Sequence, residues 1–212
     1  MFASTWSRCV LGGILGLVVA AGAAVADDKK DEKPVELNVG DTAPTFQLRN
    51  DLDKTWSSSD HFGKKWTVIY FYPGDFTPGC TAQAKAFTAA MDKLVEKGVE
   101  VVGVSGDSVP VHEMFKKVHK LNFTLLADED GAVAKEFGVP VGKGASVKAR
   151  DAANKVLEVD GKPYEFERKS TAGRWTFVIG PDGKVAYKNT KVLPADDAKK
   201  ITEFIDKATE KK

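Results

Sequence analysis

A single cysteine, Cys80, dominates the chemistry open to this sequence. It stands in the run Phe71-Tyr72-Pro73-Gly74-Asp75-Phe76-Thr77-Pro78-Gly79-Cys80-Thr81, which joins a β-branched and aromatic stretch to a segment of helical period. A thiol in the first turn of a helix meets unpaired N–H groups and the positive end of the helix dipole. Both favour the thiolate, the nucleophilic form of sulfur. Thr77 lies three residues earlier, where its hydroxyl can accept from a backbone N–H and donate toward a bound oxygen substrate. It also fills the first slot of a would-be C-x-x-C, where a dithiol exchange enzyme needs cysteine. Pro73 and Gly74 are good turn residues in their own right. A buried cysteine acting as a small hydrophobe is the plain alternative, but it leaves this placement unexplained.

The elements that must hold this segment follow from periodicity. Trp66 to Tyr72 is a continuous apolar run closed by Pro73-Gly74, as in a strand buried on both faces. From Thr81 the period changes: Phe87, Met91, Leu94 and Val95 recur at helical spacing and Gly98 supplies a stop. Val99 to Val104 reads as a second buried strand. A helix over Val111 to Lys120, a strand over Phe123 to Ala127 and a short helix over Ala132 to Phe137 follow. A long irregular stretch is expected up to Gly173. Within it, Lys155 to Val159 and Lys162 to Arg168 flank Asp160-Gly161 like a hairpin. Trp175 to Ile179 and Lys184 to Lys188 flank a Gly-Pro-Asp-Gly turn, and after Pro194 a last helix carries Ala198, Ile201, Phe204, Ile205 and Ala208 on one stripe. The order predicts an α/β chain with a mixed central β-sheet flanked by helices, best matched by a thioredoxin-like fold.

The ends and the charge balance narrow the setting. In residues 1–26, Arg8 is the only charge, Val10 to Ala20 is apolar, and Ala24-Val25-Ala26 has the form of a signal-peptidase site. This segment reads as a cleaved secretion signal, and the uncleaved alternative is a membrane anchor. Residues 27–38 read as a flexible charged leader, with the globular domain spanning 39–212. Loss of Arg8 takes the 31 basic residues to 30, equal to the 30 acidic ones. Such a balance implies neither a nucleic acid nor an anionic membrane as partner. Of the two cysteines, Cys9 would leave with the signal, and the mature exported chain would carry one thiol. His61, His112 and His119 lack metal-ligand spacing, and no nucleotide fingerprint is present, so neither a metal nor a cofactor is expected.

The pattern Pro73-x-x-x-Thr77-x-x-Cys80 resembles the peroxiredoxin active-site signature, and its surroundings resemble the bacterioferritin-comigratory, PrxQ-like branch. Gly40-Asp41-Thr42-Ala43-Pro44 is similar to the family's opening motif. Arg174-Trp175-Thr176-Phe177-Val178-Ile179 is similar to one of its strands. The resemblance implies that Cys80 is the peroxidatic thiolate, that Thr77 orients the peroxide, that Pro73 shields the sulfur and that Arg174 stabilises charge. A guanidinium suits that role, being a fixed planar fork of donors. Hydrogen peroxide and organic hydroperoxides are the implied substrates, with no cofactor.

One departure matters. Many members of this branch carry a resolving cysteine five residues after the peroxidatic one, where this chain has Lys85. A sulfenic acid at Cys80 then has no internal thiol to close on, so the expectation is a one-cysteine cycle with an external reductant. A small thiol, a thioredoxin-like exported reductase or a second copy of the chain would each serve. The oligomeric expectation is a monomer or homodimer, exported to the periplasm or another extracytoplasmic space. Residues 142–173 exceed the family's usual connection and are a plain insertion, a lid or a partner surface. Two rival readings remain on the same fold: a thiol-disulfide oxidoreductase, and a peroxide sensor or holdase that does not turn over.

Overall fold

The computed structural model describes residues 36–151 and 153–210. The signal segment 1–26 and most of the leader lie outside the described residues. The first ordered packing comes slightly before the expected boundary, since Leu37 is already buried in the core.

The chain runs through β1 (Gln47–Asn50), β2 (Thr55–Ser57), β3 (Trp66–Phe71), α1 (Pro78–Glu96), β4 (Val99–Ser105), α2 (Val109–His119), β5 (Thr124–Ala127) and α3 (Ala132–Glu136). It continues through β6 (Val141–Lys148), β7 (Glu158–Val159), β8 (Lys162–Pro163), β9 (Glu165–Ala172), β10 (Trp175–Ile179), β11 (Val185–Asn189) and α4 (Asp197–Thr209). Seven strands form one mixed sheet in the order β11-β10-β3-β4-β5-β1-β2. The β3–β4 and β4–β5 pairs are parallel and joined through α1 and α2, whereas the remaining neighbours are antiparallel.

Alternation along the central strands builds two apolar layers, because successive side chains point to opposite faces. Val68, Tyr70, Val101 and Val178 face α1, α2 and α4, meeting Phe87, Leu94, Phe115, Ile201 and Ile205. Ile69, Phe71, Val102, Val104, Phe177 and Ile179 face the other way onto Phe46, Trp56, Val133 and Phe137. Burial on both faces explains why β3 is an unbroken apolar run. The helix, strand and hairpin expectations for the sulfur-bearing half and the C-terminal third agree with this architecture to within a few residues.

Two regions depart from expectation. The hairpin β1–β2 was not anticipated, because strands of four and three residues with one buried face offer little period to read. The stretch up to Gly173 is not irregular. β6 and β9 pair antiparallel over nearly their whole length, from Val141↔Ala172 to Lys148↔Glu165, as a long two-stranded ribbon. The Asp160-Gly161 turn is where expected, closing β7 on β8. The expected pairing holds only next to the turn, at Val159↔Lys162 and Glu158↔Pro163, and from Glu165 the strand pairs instead with β6, with Arg168 opposite Ala145 and Phe166 opposite Val147. The apolar signal there is weak because β6 is largely exposed, Gly- and Lys-rich, and buries little along its length.

Candidate active site

The segment bearing the sulfur is fixed at both ends by regular structure. At the exit of β3 the Tyr72 N–H still bonds the Val104 carbonyl at 3.1 Å, so the chain leaves the sheet at Pro73, which is half-buried. Phe76 then takes a left-handed backbone conformation, φ +58°. Such a conformation is costly for an aromatic residue and persists only where surroundings enforce it. Thr77 is the N-cap of α1 with extended backbone, and Pro78 takes the first helical position, where its missing N–H loses nothing.

Cys80 is therefore the third residue of α1, 1% exposed and free. No side chain caps this helix end. The amides of Gly79 and Cys80 thus keep their donor capacity at the positive end of the dipole, where a negative sulfur or a developing oxyanion is favoured. One expectation for Thr77 needs correction. Its hydroxyl does not accept a backbone N–H but donates to the Gly74 carbonyl at 3.1 Å. The hydroxyl proton is drawn back into the loop, and the oxygen lone pairs remain free to accept from a hydroperoxide O–H.

Strand pairing brings the distant arginine to the sulfur. Trp175 opposes Phe71 in the antiparallel β10–β3 pair, so Arg174, one residue earlier, sits level with the start of the loop. Its Nη2 lies 3.1 Å from Cys80 Sγ, and its Nη1 donates to Gln83 Oε1. Gln83 in turn donates from Nε2 to Asp197 Oδ2 at 2.7 Å, and Thr176 Oγ1 donates to the same oxygen at 2.7 Å. Asp197 is fully buried, and burial raises its pKa against the opposing pull of these two bonds. A carboxylate can only accept, so Asp197 turns the Gln83 amide nitrogen toward itself and leaves the amide oxygen facing Arg174. The result is a relay that aims one guanidinium at one sulfur.

Below the loop lies a second polar cluster that sequence reasoning missed. Tyr72 OH donates to Asp75 Oδ1 at 2.8 Å, and His112 Nδ1 lies 2.8 Å from Asp75 Oδ2. His112 Nε2 faces the Leu126 carbonyl at 3.2 Å. A carbonyl only accepts, so that nitrogen carries a proton. Burial disfavours the imidazolium, yet the Asp75 carboxyl, Asp107 and the Leu126 carbonyl together outweigh it and raise the His112 pKa. Burial raises that of Asp75 too, opposed by His112. Asp107 accepts the Asp75 N–H at 2.7 Å and the Ser105 hydroxyl at 2.8 Å, and Arg168 Nε at 2.8 Å.

Of the four residues singled out in the sequence, the structure therefore joins Cys80 and Arg174 directly and sets Thr77 and Pro73 in the loop that leads to them. Gln83 was legible in principle, being three residues after Cys80 on one helix. Asp197, 114 residues from Gln83, carried no local signal. Lys85 lies on a different side of α1 and lines, with Phe76, Pro78, Thr81 and Arg150, a cavity of about 470 Å³. Among the described residues no group of three His, Cys, Asp or Glu is placed to hold a metal, and no helix is long and apolar enough to cross a membrane.

The chain is 48% identical over 105 residues to a chloroplastic peroxiredoxin Q of Populus jackii, covering 50% of this chain and 49% of that protein. It is 44% identical over 109 residues to a putative peroxiredoxin bcp of Coxiella burnetii, covering 51% of this chain and 72% of that protein. The match spans about half the length of the plant relatives. Among solved structures it resembles the peroxidoxin BcpB of Mycobacterium tuberculosis, with 26% identity, a TM-score of 0.64, and 81% and 98% of the two chains covered. It also resembles the bacterioferritin comigratory protein of Xanthomonas campestris, studied for alkyl peroxide reduction, with 28% identity, a TM-score of 0.61, and 77% and 91% covered. These neighbours share the thioredoxin-like peroxiredoxin architecture. The AhpC/TSA family pattern matches residues 39–188, which span the sulfur, its loop and the arginine, and the chain belongs to that family.

Proposed function

We propose that this chain is a thiol peroxidase that reduces hydrogen peroxide and organic hydroperoxides through Cys80, with an external thiol completing each cycle. The observation that carries the reading is the 3.1 Å approach of Arg174 Nη2 to Cys80 Sγ at an uncapped helix N-terminus. The likeness to peroxiredoxin Q and bcp proteins supports it. The Cys80 thiolate attacks one peroxide oxygen, the O–O bond breaks, and the departing alkoxide or hydroxide takes a proton to leave as alcohol or water. Sulfur is left as the sulfenic acid. Arg174 and the first-turn amides are aimed where negative charge moves, which is how preorganised donors accelerate such a step. Thr77 accepts from the hydroperoxide O–H and Pro73 shields the sulfur from bulk water.

Among the described residues Cys80 is the free cysteine, and Lys85 stands five residues on. The sulfenic acid then condenses with an external thiol, releasing water and forming a mixed disulfide. A second thiol displaces Cys80 and leaves as the oxidised reductant. The composition of residues 1–26 supports export by a cleaved signal, with the mature chain starting at Asp27. Mass measurement of the secreted protein tests this, and a chain that retains Met1 overturns it.

Stopped-flow oxidation of the reduced protein by hydrogen peroxide, followed by tryptophan fluorescence with mass detection of the sulfenic acid, tests the activity. Oxidation far faster than that of a free small thiol, and turnover on adding dithiothreitol or a thioredoxin, is the expected result. Oxidation at the free-thiol rate sinks the reading. A sulfenic acid that no thiol discharges would make the protein a sensor.

A further inference from the structure

The ribbon β6–β9 is neither a lid over solvent nor a plain insertion, because its second strand sends an arginine into the interior beneath the loop that bears the sulfur. Arg168 is 6% exposed. Its Nε donates to Asp107 Oδ1 at 2.8 Å and its Nη2 to the Asp75 carbonyl at 3.0 Å, while Asp107 Oδ2 accepts the Asp75 N–H at 2.7 Å. Both polar groups of the Asp75 backbone are thus held by one Arg168–Asp107 unit. Asp75 lies midway between Pro73 and Thr77, so this grip fixes the loop's path.

Three further contacts reinforce it. Gly74 has φ +153°, and a Cβ there would fall 1.9 Å from Arg168 Cζ, so the guanidinium passes through the space that any side chain would fill. The strained Phe76 is wedged by ribbon aromatics, its ring 6.0 Å from those of both Tyr164 and Phe166. At the far end of β9, a Cβ on Gly106 would meet the Ser170 carbonyl at 2.2 Å, so the ribbon backbone lies directly on the end of β4.

We propose that Arg168 is a positioning residue for the peroxide-reactive site, and that the ribbon is a brace whose docking holds the Pro73–Thr77 loop and the first turn of α1 closed. The inference rests on the peroxidase reading above. Cys80 is 1% exposed, so an external thiol reaches its oxidised sulfur only when that first turn opens. The two half-reactions therefore pull in opposite directions on the brace: peroxide attack needs it docked, and sulfenic acid discharge needs it released.

The test measures both half-reactions in wild type, R168K and G74A, well below their unfolding midpoints. Lysine keeps the charge but replaces the planar fork, whose Nε and Nη2 serve Asp107 and the Asp75 carbonyl, with a single nitrogen, and a methyl at position 74 displaces the guanidinium. In both variants oxidation by hydrogen peroxide should slow by about tenfold or more, since small misplacements of a preorganised site are costly. Discharge of the sulfenic acid by dithiothreitol should become severalfold faster. A merely structural residue would lower the unfolding midpoint and leave both rate constants of the folded protein unchanged, and that outcome overturns the proposal. Should neither variant fold, hydrogen exchange on the wild type decides: the amides of Asp75, Thr81 and the β9 segment open together if the ribbon is the brace and separately if it is not. Slow oxidation of the wild type itself would instead sink the peroxidase reading.

Discussion

Two polar clusters lie on opposite sides of one short loop, and they are built on opposite electrostatic plans. On the helix side, Arg174 bonds the Cys80 sulfur and the Gln83 amide oxygen, neither of them a carboxylate. The nearest carboxyl, Asp197, stands one residue behind Gln83, so no carboxylate in direct contact competes for the guanidinium with negative charge arising at the sulfur. On the ribbon side, two carboxyl groups, Asp75 and Asp107, meet the His112 imidazole, whose charged form its neighbours favour, and the Arg168 guanidinium; all four are buried, Asp75 against His112 and Asp107 against Arg168. With His112 protonated that group is internally balanced and has nothing to offer a substrate. A cation with no carboxylate in direct contact is what a reacting centre needs, and a quartet of paired ionisable groups is what a fixed scaffold needs, because removing one partner strands a buried charge. The comparison assigns reactivity to the first cluster and rigidity to the second, and variants that separate the two effects can break it.

The largest effect is expected in the balanced cluster. H112F leaves the Asp75 carboxyl group buried without its imidazole partner and should cost about 3–5 kcal/mol of stability. For a domain of this size each kcal/mol lowers the unfolding midpoint by about 2–4 °C. D75N/H112N, which removes both charges and keeps hydrogen-bonding groups, should regain at least half the loss. Thermal unfolding of the three proteins checks this, and a double variant no better than H112F would mean that the charges are not the point.

In the reactive cluster the cost should fall on rate. R174M should slow peroxide oxidation by about 10²–10³-fold, the usual loss when one preorganised donor is removed, while its unfolding midpoint stays close to wild type. A large drop in midpoint with an unchanged rate would reverse the roles of the two clusters. A smaller effect is expected further along the relay. In D197N the residue at 197 can donate as well as accept, so the Gln83 amide is free to turn its nitrogen toward Arg174. Oxidation should then slow by roughly tenfold, about 1.4 kcal/mol in barrier. The peroxide dependence and not the saturating rate of a D197N enzyme would change if Asp197 acted on substrate entry, and that split tells the two apart.

Legibility in the sequence differed between the clusters for the same physical reason. Cys80, Thr77 and Pro73 fall in one octapeptide, where helix-start placement, turn chemistry and the nucleophile reinforce one another, and the β3–α1 and β10–β11 units carry strong, buried periodicities. Arg174 was found only through resemblance, since its proximity to sulfur depends on the Trp175↔Phe71 register. The quartet was not legible at all. Arg168 sits in an exposed, charged ribbon whose pattern reads as irregular, and its partners Asp107 and Asp75 lie 61 and 93 residues away. His112 looked isolated because its carboxylate partner is 37 residues distant. Long-range charge pairing leaves no local period, so such groups emerge only once strand order is known.

The gentlest probe of the comparison is pH, read as the stability difference between wild type and D75N/H112N. His112 and Asp75 both have folded-state pKa values raised above their ordinary 6.5 and 3.8. In both windows the native protein holds a proton that the unfolded chain has released. For each group the stabilisation is therefore fully present below the ordinary value and is lost as pH rises through the raised one. His119, lowered chiefly by burial, and Asp128 and Asp197, raised chiefly by burial, are present in both proteins and cancel in the difference. The wild-type advantage should shrink as pH rises above about 6.5, with a slope no steeper than about 1.4 kcal/mol per pH unit for the single proton on His112. Urea unfolding between pH 5.5 and 9 measures it. An advantage that grows with pH would mean that the His112–Asp75 contact does not favour the imidazolium, and the charge balance attributed to the ribbon-side cluster would fail with it.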